Sequence, residues 1–457
     1  MRFKWFTLSL LFLSTAAVAR QDDSLMIRKI ADEILEHGKA YDNLRVLTKQ
    51  VGGRLAGSPQ MVKAEAWGQK ALQDAGAGKV WLQECMVPHW VRGGKDEASY
   101  SVPGKPVKNK LDVLALGNSV GTGAKGIQAP VMLVNSFEEL EQRKEEVKGK
   151  IVFYNYKFNN KFIRTFQAYG DANKYRGMGP SAAASYGAVA VLVRSMSHAA
   201  DNNPHTGSTR YVDSLPKIPA AAIGLQDADK LADAISNYKN VTIFLRTLAK
   251  MLPDTIGHNV IGEIKGTEFP DMIITIGGHL DSWDPAEGAH DDGAGCVQSI
   301  EVLRVLKAVG YKPKHTIRVV LFANEENGLR GGTKYAEEAK AKNENHYFAL
   351  ESDAGGFTPR GFGFTVTADQ LQKISQWAPL FQPYGVMELS MGGGGADIGP
   401  LNRTFGTALA GLQPDSQRYF DIHHARSDVF EAVNKRELEL GAINMAALIY
   451  LVDKYGL

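Results

Sequence analysis

The stretch that most constrains the fold covers residues 273–292 and reads IITIGGHLDSWDPAEGAHDD. An apolar run ends in two glycines, and three side chains able to bind a metal follow, namely His279, Asp281 and Asp291. A short apolar run bounded by glycines is typical of a buried strand. Such a strand carries an imidazole and a carboxylate to the carboxyl edge of an open α/β sheet, where ligands bind. The stretch therefore predicts a hydrolytic metal site.

The chain after residue 257 largely alternates strand-like and helix-like segments. Strands are predicted at 259–264, 272–276, 316–322 and 347–351, and helices at 294–309, 329–340 and 435–454. This alternation is typical of a largely parallel sheet covered by helices on both faces. The expected fold class is α/β, with a three-layer α/β/α domain built on a mixed, largely parallel sheet.

Acidic side chains follow three consecutive predicted strands. His279 and Asp281 follow the strand at 272–276, Glu325 and Glu326 follow the next strand, and Asp353 follows the strand at 347–351. Parallel strands end at one edge of a sheet, so these side chains should converge in space. The sequence thus predicts one site assembled from distant segments.

The converging groups match a site for two divalent cations. Such a site needs one shared carboxylate and, on each cation, a terminal imidazole and carboxylate. Asp291, before a predicted helix, suits the shared position; His279 and Asp353 would hold one cation, and Glu326 and a further histidine the other. Glu325 would remain free as general base. His423 or His424 supplies the missing imidazole, and spacing alone does not decide between them.

Each element of this site has a simpler interpretation. A histidine after a strand is more often structural than a ligand. Glu325 and Glu326 alone would suit an exposed helix start, where acids favour the helix dipole. Asp291 and Asp292 could serve only as a helix N-cap. Metal binding is favoured because all of these elements occur together, in an order that brings them to one edge.

The first nineteen residues, MRFKWFTLSLLFLSTAAVA, indicate a cleaved secretory signal peptide, with a basic start, an apolar middle and a small-residue end. Removing them takes away Arg2 and Lys4, which leaves 50 basic against 50 acidic residues. A neutral chain gives no electrostatic reason to expect nucleic acid or an anionic membrane as partner. Only two cysteines occur, Cys85 and Cys296, and buried free thiols are expected rather than a disulfide.

Changes in the pattern of strand-like and helix-like segments along the chain predict its domains. Residues 20–112 are expected to start the main α/β domain and residues 251–457 to complete it as the catalytic part. Residues 113–250, with short β runs and no acids and histidines at ligand spacing, are predicted to form an inserted domain. His198 and His205 flank a polar loop there, for which a surface role is expected and a substrate-facing role is the alternative.

Five motifs in series, GGHLDSWD, GAHDDGAG, ANEENGLRGG, ESDAGG and HHARSD, resemble those of the M28 co-catalytic zinc metallopeptidases. The resemblance implies two Zn²⁺ per chain, Glu325 as the base and a cis peptide between Asp291 and Asp292. It selects His424 over His423, because Asp428 follows four residues later. The ligands it implies are His279, Asp291, Glu326, Asp353 and His424.

The resemblance also implies that the insertion is a protease-associated-type domain and that the chain forms a homodimer. Asp281 then moves from a possible ligand to a group that orients the imidazole of His279. Three positions depart from the family pattern. His290 precedes the shared Asp where relatives usually have a non-ligand, so a third-metal or supporting role stays open. His423 stands where many relatives have a tyrosine that can polarise the scissile carbonyl, and it is expected to take that task. Asp397 is the candidate anchor for the substrate amine.

The expected function is that of an exported di-zinc exopeptidase, secreted or periplasmic, that hydrolyses dipeptides or short peptides with free termini. Its expected partners are a short peptide substrate and a second copy of the chain, with no nucleic acid and no membrane after signal cleavage. Two alternatives remain: a broader aminopeptidase acting on longer peptides, and a binding protein that keeps the fold without metals. The presence of the full set of expected ligands argues against the second.

Overall fold

The computed structural model describes the backbone of residues 6–457 and the side chains of residues 21–457. The predicted signal peptide, residues 1–19, lies outside the part whose side chains are described. No helix among the described residues is long and apolar enough to cross a membrane.

The strands are, in chain order, β1 (Lys79–Val91), β2 (Glu97–Ser101), β3 (Lys108–Leu111), β4 (Val113–Ala115), β5 (Ile127–Val134), β6 (Ile151–Tyr154), β7 (Ala190–Arg194), β8 (Ala220–Ile223), β9 (Thr242–Arg246), β10 (Lys250–Ile264), β11 (Phe269–His279), β12 (His315–Phe322), β13 (Asn345–Glu351), β14 (Pro359–Thr365), β15 (Glu388–Met391) and β16 (Ala408–Pro414).

The α-helices are α1 (Phe6–His37), α2 (Ala40–Val46), α3 (Pro59–Asp74), α4 (Phe137–Gln142), α5 (Thr165–Ala172), α6 (Lys174–Gly177), α7 (Gly179–Ala184), α8 (Leu225–Asn237), α9 (Ala294–Ala308), α10 (Arg330–Ala341), α11 (Ala368–Ser375), α12 (Ala378–Phe381), α13 (Gly399–Phe405), α14 (Tyr419–Ile422) and α15 (Lys435–Tyr455).

Eight strands form the first sheet, in the order β1-β10-β12-β11-β13-β16-β14-β15. β11 pairs in parallel with β12 and β13, and β13 pairs in parallel with β16. The pairs β1–β10, β10–β12 and β14–β16 are antiparallel, and the edge strand β15 pairs in parallel with β14. The predicted α/β class with a mixed, largely parallel sheet is confirmed.

Helices cover both faces of this sheet. Successive side chains of a strand point to opposite faces, so Val319 and Leu321 of β12 share a buried cluster with α9 and α15. Val320 and Phe322 face the other way and pack with α10 and α13. α15 is buried on all sides, which explains why its sequence is apolar around most of its circumference. The sheet therefore forms the middle layer of three.

Residues 97–246 contribute the strands of a second eight-stranded sheet, in the order β3-β2-β9-β5-β6-β7-β8-β4. Its central strands β6, β7 and β8 are completely buried, as their continuous apolar runs predict. β2 and β3 also belong to it, although they precede residue 113. Both are short and partly charged, so no apolar run marks them in the sequence.

The two sheets meet around Trp283, which follows β11 in the first sheet's loops. Trp283 is buried against Leu55 and Trp90. It also packs with Ala115, which belongs to β4 of the second sheet. At Gly117 a Cβ atom would lie 1.8 Å from the Trp283 ring, so this contact requires glycine. Cys85 and Cys296 are both free and buried, as expected.

Candidate metal centre and active site

The carboxyl ends of three neighbouring strands form the floor of the site. β12, β11 and β13 are adjacent in the sheet. The predicted site residues lie at the ends of these strands or shortly after them. β11 ends at His279, β12 is followed by Glu325 and Glu326, and β13 is followed by Asp353. Sequence-distant groups therefore meet because the strands that carry them run in parallel.

Asp291 lies at the centre of the group and faces a different imidazole with each oxygen. Its Oδ1 is 3.3 Å from Nε2 of His279, and its Oδ2 is 3.2 Å from Nε2 of His424. The same His279 nitrogen is 3.4 Å from Oδ1 of Asp353. The same His424 nitrogen is 3.1 Å from Oε2 of Glu326. Two imidazole–carboxylate pairs thus share one carboxylate.

The imidazole of His279 is held in one orientation. Its Nδ1 lies 2.9 Å from the main-chain carbonyl of Asp281, to which it donates, and this leaves the Nε2 lone pair free to face the cluster. The Asp281 carboxylate is 3.8 Å from the ring and instead accepts from the amides of Glu325 and Glu326. The expected orienting role of Asp281 therefore falls to its carbonyl, while its carboxylate fixes the turn after β12.

His424 is positioned by Thr206, which lies in the segment that forms the second sheet. Its Nδ1 is 3.3 Å from the carbonyl of Thr206, a partner that directs Nε2 towards Asp291 and Glu326. The residue adopts a positive φ of 61°, a conformation uncommon outside glycine. His423 stacks on it with ring centroids 3.6 Å apart, and the His423 Nε2 lies 3.7 Å from Asp291 Oδ2.

The backbone that carries Asp291 is fixed by two other carboxylates. Asp428 accepts from the amides of His290 at 2.7 Å and Asp291 at 3.2 Å. Asp292 accepts from the amides of His279 at 3.0 Å and Gly295 at 2.9 Å, which joins β11 to the start of α9. The peptide bond between Asp291 and Asp292 is cis, as the resemblance implied.

The site buries several carboxylates without a lysine or arginine beside them. In the region described with side chains, no Lys or Arg nitrogen lies within 4.0 Å of the carboxylates of Asp291, Glu325, Glu326 or Asp353. Oδ2 of Asp291 and Oε1 of Glu326 are buried and accept no well-aligned hydrogen bond. Buried charges are normally paired or coordinate metals, so this donor set fits cations that prefer nitrogen and oxygen ligands.

The pKa values in the cluster diverge. Burial opposes ionisation of Asp291, but the imidazoles of His279 and His424 hold its pKa well below the usual range. Burial raises the pKa of Glu325 well above its usual value, and the carboxylates of Asp353 and Glu326 raise it further. Environments that separate the pKa values of neighbouring carboxyl groups are common at catalytic sites.

A cavity of about 600 Å³ opens above the cluster. Glu325 lines it and stands outside both imidazole–carboxylate pairs. The second sheet's segment supplies the opposite wall through Asn118, Tyr169 and Arg176. A cavity of this size with convergent polar groups is suited to a small ligand.

Two predicted positions lie away from this cavity. Asp397 is fully buried behind Glu351 and lines no cavity that reaches the cluster, which argues against direct contact with a substrate. His290 is buried against Phe357, with ring centroids 4.2 Å apart, and its Nδ1 accepts from the amide of Gly356. These contacts favour a role for His290 in supporting the fold around the site.

Other residues of the site have no motif that identifies them in the sequence. Tyr419 lines the cavity, and its pKa is raised well above the usual value by burial and by the carboxylates of Asp291 and Asp353, so its hydroxyl keeps its proton. His205 is buried beside His424 rather than on the surface, so the surface role expected for it is wrong. Burial lowers the pKa of His205 to about 4.

Arg54 is fully buried and donates to the carbonyls of Leu280, Glu287 and Gly288, which fixes the loop between β11 and Asp291.

Comparison with known proteins relates the chain to peptidases of one family. The model of peptidase family M28 matches residues 259–449. The chain is 36% identical over 430 residues to carboxypeptidase Q of Homo sapiens, which covers 93% of this chain and 88% of that protein. Its identity to carboxypeptidase Q of Xenopus laevis is also 36%, over 93% of this chain and 89% of that protein.

Solved structures resemble most of the chain. A peptidase M28 precursor from Shewanella amazonensis SB2B superimposes with a TM-score of 0.89 at 33% identity, covering 95% of this chain and 97% of that chain. A zinc aminopeptidase from Bacillus subtilis has a TM-score of 0.63 at 21% identity, covering 91% and 95%, and shows a shared fold. Because relatives above 30% identity span nearly the whole chain, this protein is a peptidase that belongs to family M28.

Proposed function

We propose that this peptidase is an exported exopeptidase that holds two zinc ions per chain and hydrolyses dipeptides or short peptides with free termini. The observation that carries the proposal is the position of Asp291, whose two oxygens face two separate imidazole–carboxylate pairs. A carboxylate shared in this way is the arrangement expected of a site for two cations about 3.5 to 4 Å apart.

The ligands divide into two sets around Asp291. His279 and Asp353 would hold one ion, and His424 and Glu326 the other. Zinc is favoured because its usual protein ligands are histidine nitrogen and carboxylate oxygen, and because a structural neighbour is named as a zinc aminopeptidase. When bound, the ions supply Lewis acidity that lowers the pKa of water and polarises a carbonyl oxygen.

Glu325 is the proposed general base. Its carboxylate lines the cavity and is left free by both ligand sets. It removes one proton from the attacking water as the oxygen bonds to the scissile carbonyl carbon, and then gives that proton to the leaving amine as the C–N bond breaks. The Asp281 carboxylate accepts from the backbone amide of Glu325 at 3.0 Å, which fixes the turn that carries this side chain.

Two side chains can donate a hydrogen bond to the scissile carbonyl oxygen. His423, proposed from the sequence, lies in the cavity wall and its Nε2 is 3.7 Å from Asp291. Tyr419 lines the same wall with a hydroxyl that keeps its proton. We retain His423 for this role and treat Tyr419 as the competing donor. A donor placed where negative charge develops is worth a large factor in rate.

Arg176 is the proposed anchor for the free carboxylate of the substrate. Only 8% of this residue is exposed, and across residues 21–457 no carboxylate lies within 4.0 Å of its guanidinium. Its Nε is buried and makes no hydrogen bond, while one terminal nitrogen donates to the Tyr169 hydroxyl and the other to the carbonyl of Thr206 at 3.4 Å. A buried guanidinium that lacks an anion would gain most from binding one. Its place in the cavity wall therefore favours peptides with a free carboxyl end.

The second sheet supports the proposed inserted domain of the protease-associated type. We place its start before β2 rather than at residue 113, since β2 and β3 pair within that sheet. Asn118, Tyr169 and Arg176 reach the cavity from it, which is the basis for proposing that the domain completes the site in the same chain. Export through the signal sequence at residues 1–19 and a homodimeric assembly are further parts of the proposal.

Zinc content and activity of a Glu325→Gln variant together test this function. We expect about two zinc ions per chain in both proteins, measured by elemental analysis after purification without chelator. Loss of the base should reduce kcat by 10²-fold or more, on the order of a general base contribution. Removing zinc with a chelator and restoring it should abolish and recover turnover.

The alternatives give different outcomes in the same experiment. Retained turnover in Glu325→Gln would contradict the mechanism, and zinc far below two per chain would favour a metal-free binding protein. Parallel assays with di-, tri- and tetrapeptides separate a dipeptidase from a broader aminopeptidase. The relatives named carboxypeptidase Q and the neighbour named zinc aminopeptidase make both kinds of exopeptidase reasonable comparisons.

A further inference from the structure

A pair of asparagines joins the segment that forms the second sheet to the turn that carries the proposed base. Asn118 lies in that segment, and Asn327 follows Glu325 and Glu326 in the turn after β12. The side-chain amide of Asn327 donates to Oδ1 of Asn118 at 3.1 Å. The side-chain amide of Asn118 donates to the main-chain carbonyl of Asn327 at 3.3 Å. Two hydrogen bonds therefore fix the two segments to each other beside the active-site cavity.

The backbone holds Asn118 in a conformation that suits this residue type. The amide of Ser119 donates to the carbonyl of Leu116 at 3.1 Å, which closes a β-turn, and Asn118 in its third position has a φ of 63°. Asparagine and glycine are the residues that most readily accept a positive φ there. The preceding Gly117 donates its amide to the carbonyl of Gly207 at 3.0 Å. The side chain of Asn118 is thus presented by a turn that is itself held in place.

The turn that carries the proposed base is anchored differently at its two ends. At its start, the Asp281 carboxylate accepts from the amides of Glu325 and Glu326, at 3.0 and 3.3 Å. Its far end is Asn327. Among the described residues, Asn118 alone forms hydrogen bonds with Asn327 from outside the turn. The first sheet therefore fixes the start of the turn, and the segment of the second sheet fixes its end.

The contact between the asparagines satisfies buried polar groups. Only 6% of Asn327 is exposed. Its Oδ1 accepts from the side chain of Asn324, and its Nδ2 donates to Asn118. Without the Asn118 amide, this Nδ2 and the main-chain carbonyl of Asn327 would be buried with no partner, which costs free energy. The turn would regain hydrogen bonds by moving towards the water of the cavity, and Glu325 would move with it.

We propose that Asn118 is a positioning residue that holds the turn of Glu325 in the geometry needed for proton transfer. The inference rests on the proposed function, in which Glu325 is the general base. Asn118 acts through Asn327 and makes no bond to the substrate. A general base must lie within hydrogen-bond reach of the proton that it removes, so a small displacement of the turn lowers the rate of the chemical step.

The first test uses the full-length, zinc-loaded enzyme and its Asn118→Gly variant. Glycine keeps the positive φ without strain and removes the amide. We expect kcat for a dipeptide to fall by roughly tenfold or more, because misplacement by about 1 Å can cost 10²-fold in rate. KM and zinc content should stay unchanged. An unchanged kcat, a rise in KM alone or a loss of zinc would overturn the inference.

Asn240→Gly is the matched control for this variant. Asn240 lies in the same segment, is exposed and has a φ of 60°, so the substitution and the backbone conformation are the same. It lies outside the proposed active site, and we expect its kcat to equal that of the parent enzyme. A fall in kcat as large as that of Asn118→Gly would show that glycine in this segment loosens the domain, and would overturn the specific role of Asn118.

A double variant decides whether Asn118 acts through Glu325. Glu325→Gln removes the base, so adding Asn118→Gly to it should lower the residual kcat no further. A bond from Asn118 to the substrate would instead lower kcat/KM by the same factor in both backgrounds. That outcome would overturn the positioning role.

Asn327→Ala tests the same contact from its other side and serves where Asn118→Gly does not fold. It removes the amide that binds Asn118, so it should also lower kcat by roughly tenfold or more with zinc content unchanged. A kcat equal to that of the parent enzyme would contradict the inference.

These measurements separate the role of Asn118 from the proposed function. If Glu325→Gln keeps its turnover, the proposed function fails. If Glu325→Gln loses its turnover while Asn118→Gly keeps the kcat of the parent enzyme, the function stands and the positioning role of Asn118 fails.

Discussion

His423 and Tyr419 stand on the same wall of the active-site cavity and could each donate to the carbonyl oxygen of the substrate. We predict that His423→Phe lowers kcat by about 10²-fold, the size expected for loss of one such donor, and leaves zinc content unchanged. Phenylalanine keeps a ring to stack on His424, so its packing loss is small. Kinetics and elemental analysis on the same preparation provide the measurement.

Tyr419→Phe is the matched variant for that prediction. It removes one hydroxyl and keeps the ring packed against Phe166 and His423. If Tyr419→Phe loses the larger part of kcat while His423→Phe does not, the donor is the tyrosine. Loss of one zinc in His423→Phe would instead make His423 a ligand.

Arg176 is proposed to bind the substrate carboxylate, so its effect should depend on that carboxylate. We predict that Arg176→Met raises KM for a dipeptide by at least tenfold, because one charge-assisted contact is lost. The corresponding dipeptide amide lacks the anion and should be cleaved equally well by both enzymes. An equal loss on dipeptide and amide would show that Arg176 acts on the fold or on His424 rather than on the substrate.

Single residues differ in how far the sequence reveals them. His279, Asp291 and His424 can be predicted because each belongs to a motif next to a strand or loop that the pattern identifies. The carbonyl of Asp281 and the guanidinium of Arg176 cannot, since a main-chain carbonyl is the same in every residue and Arg176 reaches the cavity from α6, which carries no site motif. Asp397 shows the reverse case: its place in a glycine-rich loop suggests contact with the substrate amine, whereas the structure buries it fully.

Arg318 of β12 links neighbouring elements at the end of the sheet opposite the site. It binds Glu344, which precedes β13, at 2.8 Å, and His346 of β13 binds the same carboxylate at 3.1 Å. Burial would raise the pKa of Glu344, but hydrogen bonds from His346 and Arg318 lower it to about 2, against an ordinary value of 4.5. A carboxyl group with a depressed pKa stabilises the folded state above its unfolded pKa.

We predict that Glu344→Gln lowers the free energy of unfolding by about 1 to 3 kcal/mol at pH 7. The difference from the parent protein should shrink as pH falls from about 4.5 towards 2, because the parent carboxylate is then protonated. Urea unfolding at several pH values measures it. Glu337→Gln on α10, a solvent-exposed acid, is the control. A difference that does not change with pH would contradict the assignment.

Elements are predictable where their patterns are strong. The helix predicted at 435–454 is α15, Lys435–Tyr455, and the strand predicted at 316–322 is β12, His315–Phe322. β2 and β3 cannot be predicted in this way, because short strands with charged residues give no apolar run. Pairing with β9 and with each other stabilises them, and this pairing is visible only in three dimensions.

At the scale of the whole molecule, the two sheets are joined next to the active site. Trp283 follows the strand that carries His279, packs within 5.8 Å of the His424 ring, and contacts Gly117 from the second sheet's segment. Gly117 forms a parallel bridge with Ser208, in the same loop as Thr206, the partner of His424. A change in the packing between the sheets should therefore alter the active site as well as stability.

Gly117→Ala tests this coupling. The added Cβ would lie 1.8 Å from the Trp283 ring, so the two sheets must separate locally. We predict a loss of about 1 to 3 kcal/mol in the free energy of unfolding, typical of overpacking, together with lower kcat/KM because Thr206 and Trp283 both contact His424. Gly149→Ala provides a control, since no atom lies within 4 Å of its Cβ and only local backbone strain changes.

The double variant Gly117→Ala with Trp283→Phe decides whether the contact between the sheets is the cause. The smaller ring lacks the atoms that the new Cβ would meet, so the two changes should compensate, and their combined effect should be smaller than the sum of the single effects. Trp283→Phe alone should cost about 1 to 3 kcal/mol through the cavity it leaves. Urea unfolding and kcat/KM of all four proteins complete the cycle. Additive effects in both measurements would mean that Gly117 and Trp283 act independently, and that the second sheet does not transmit its packing to His424.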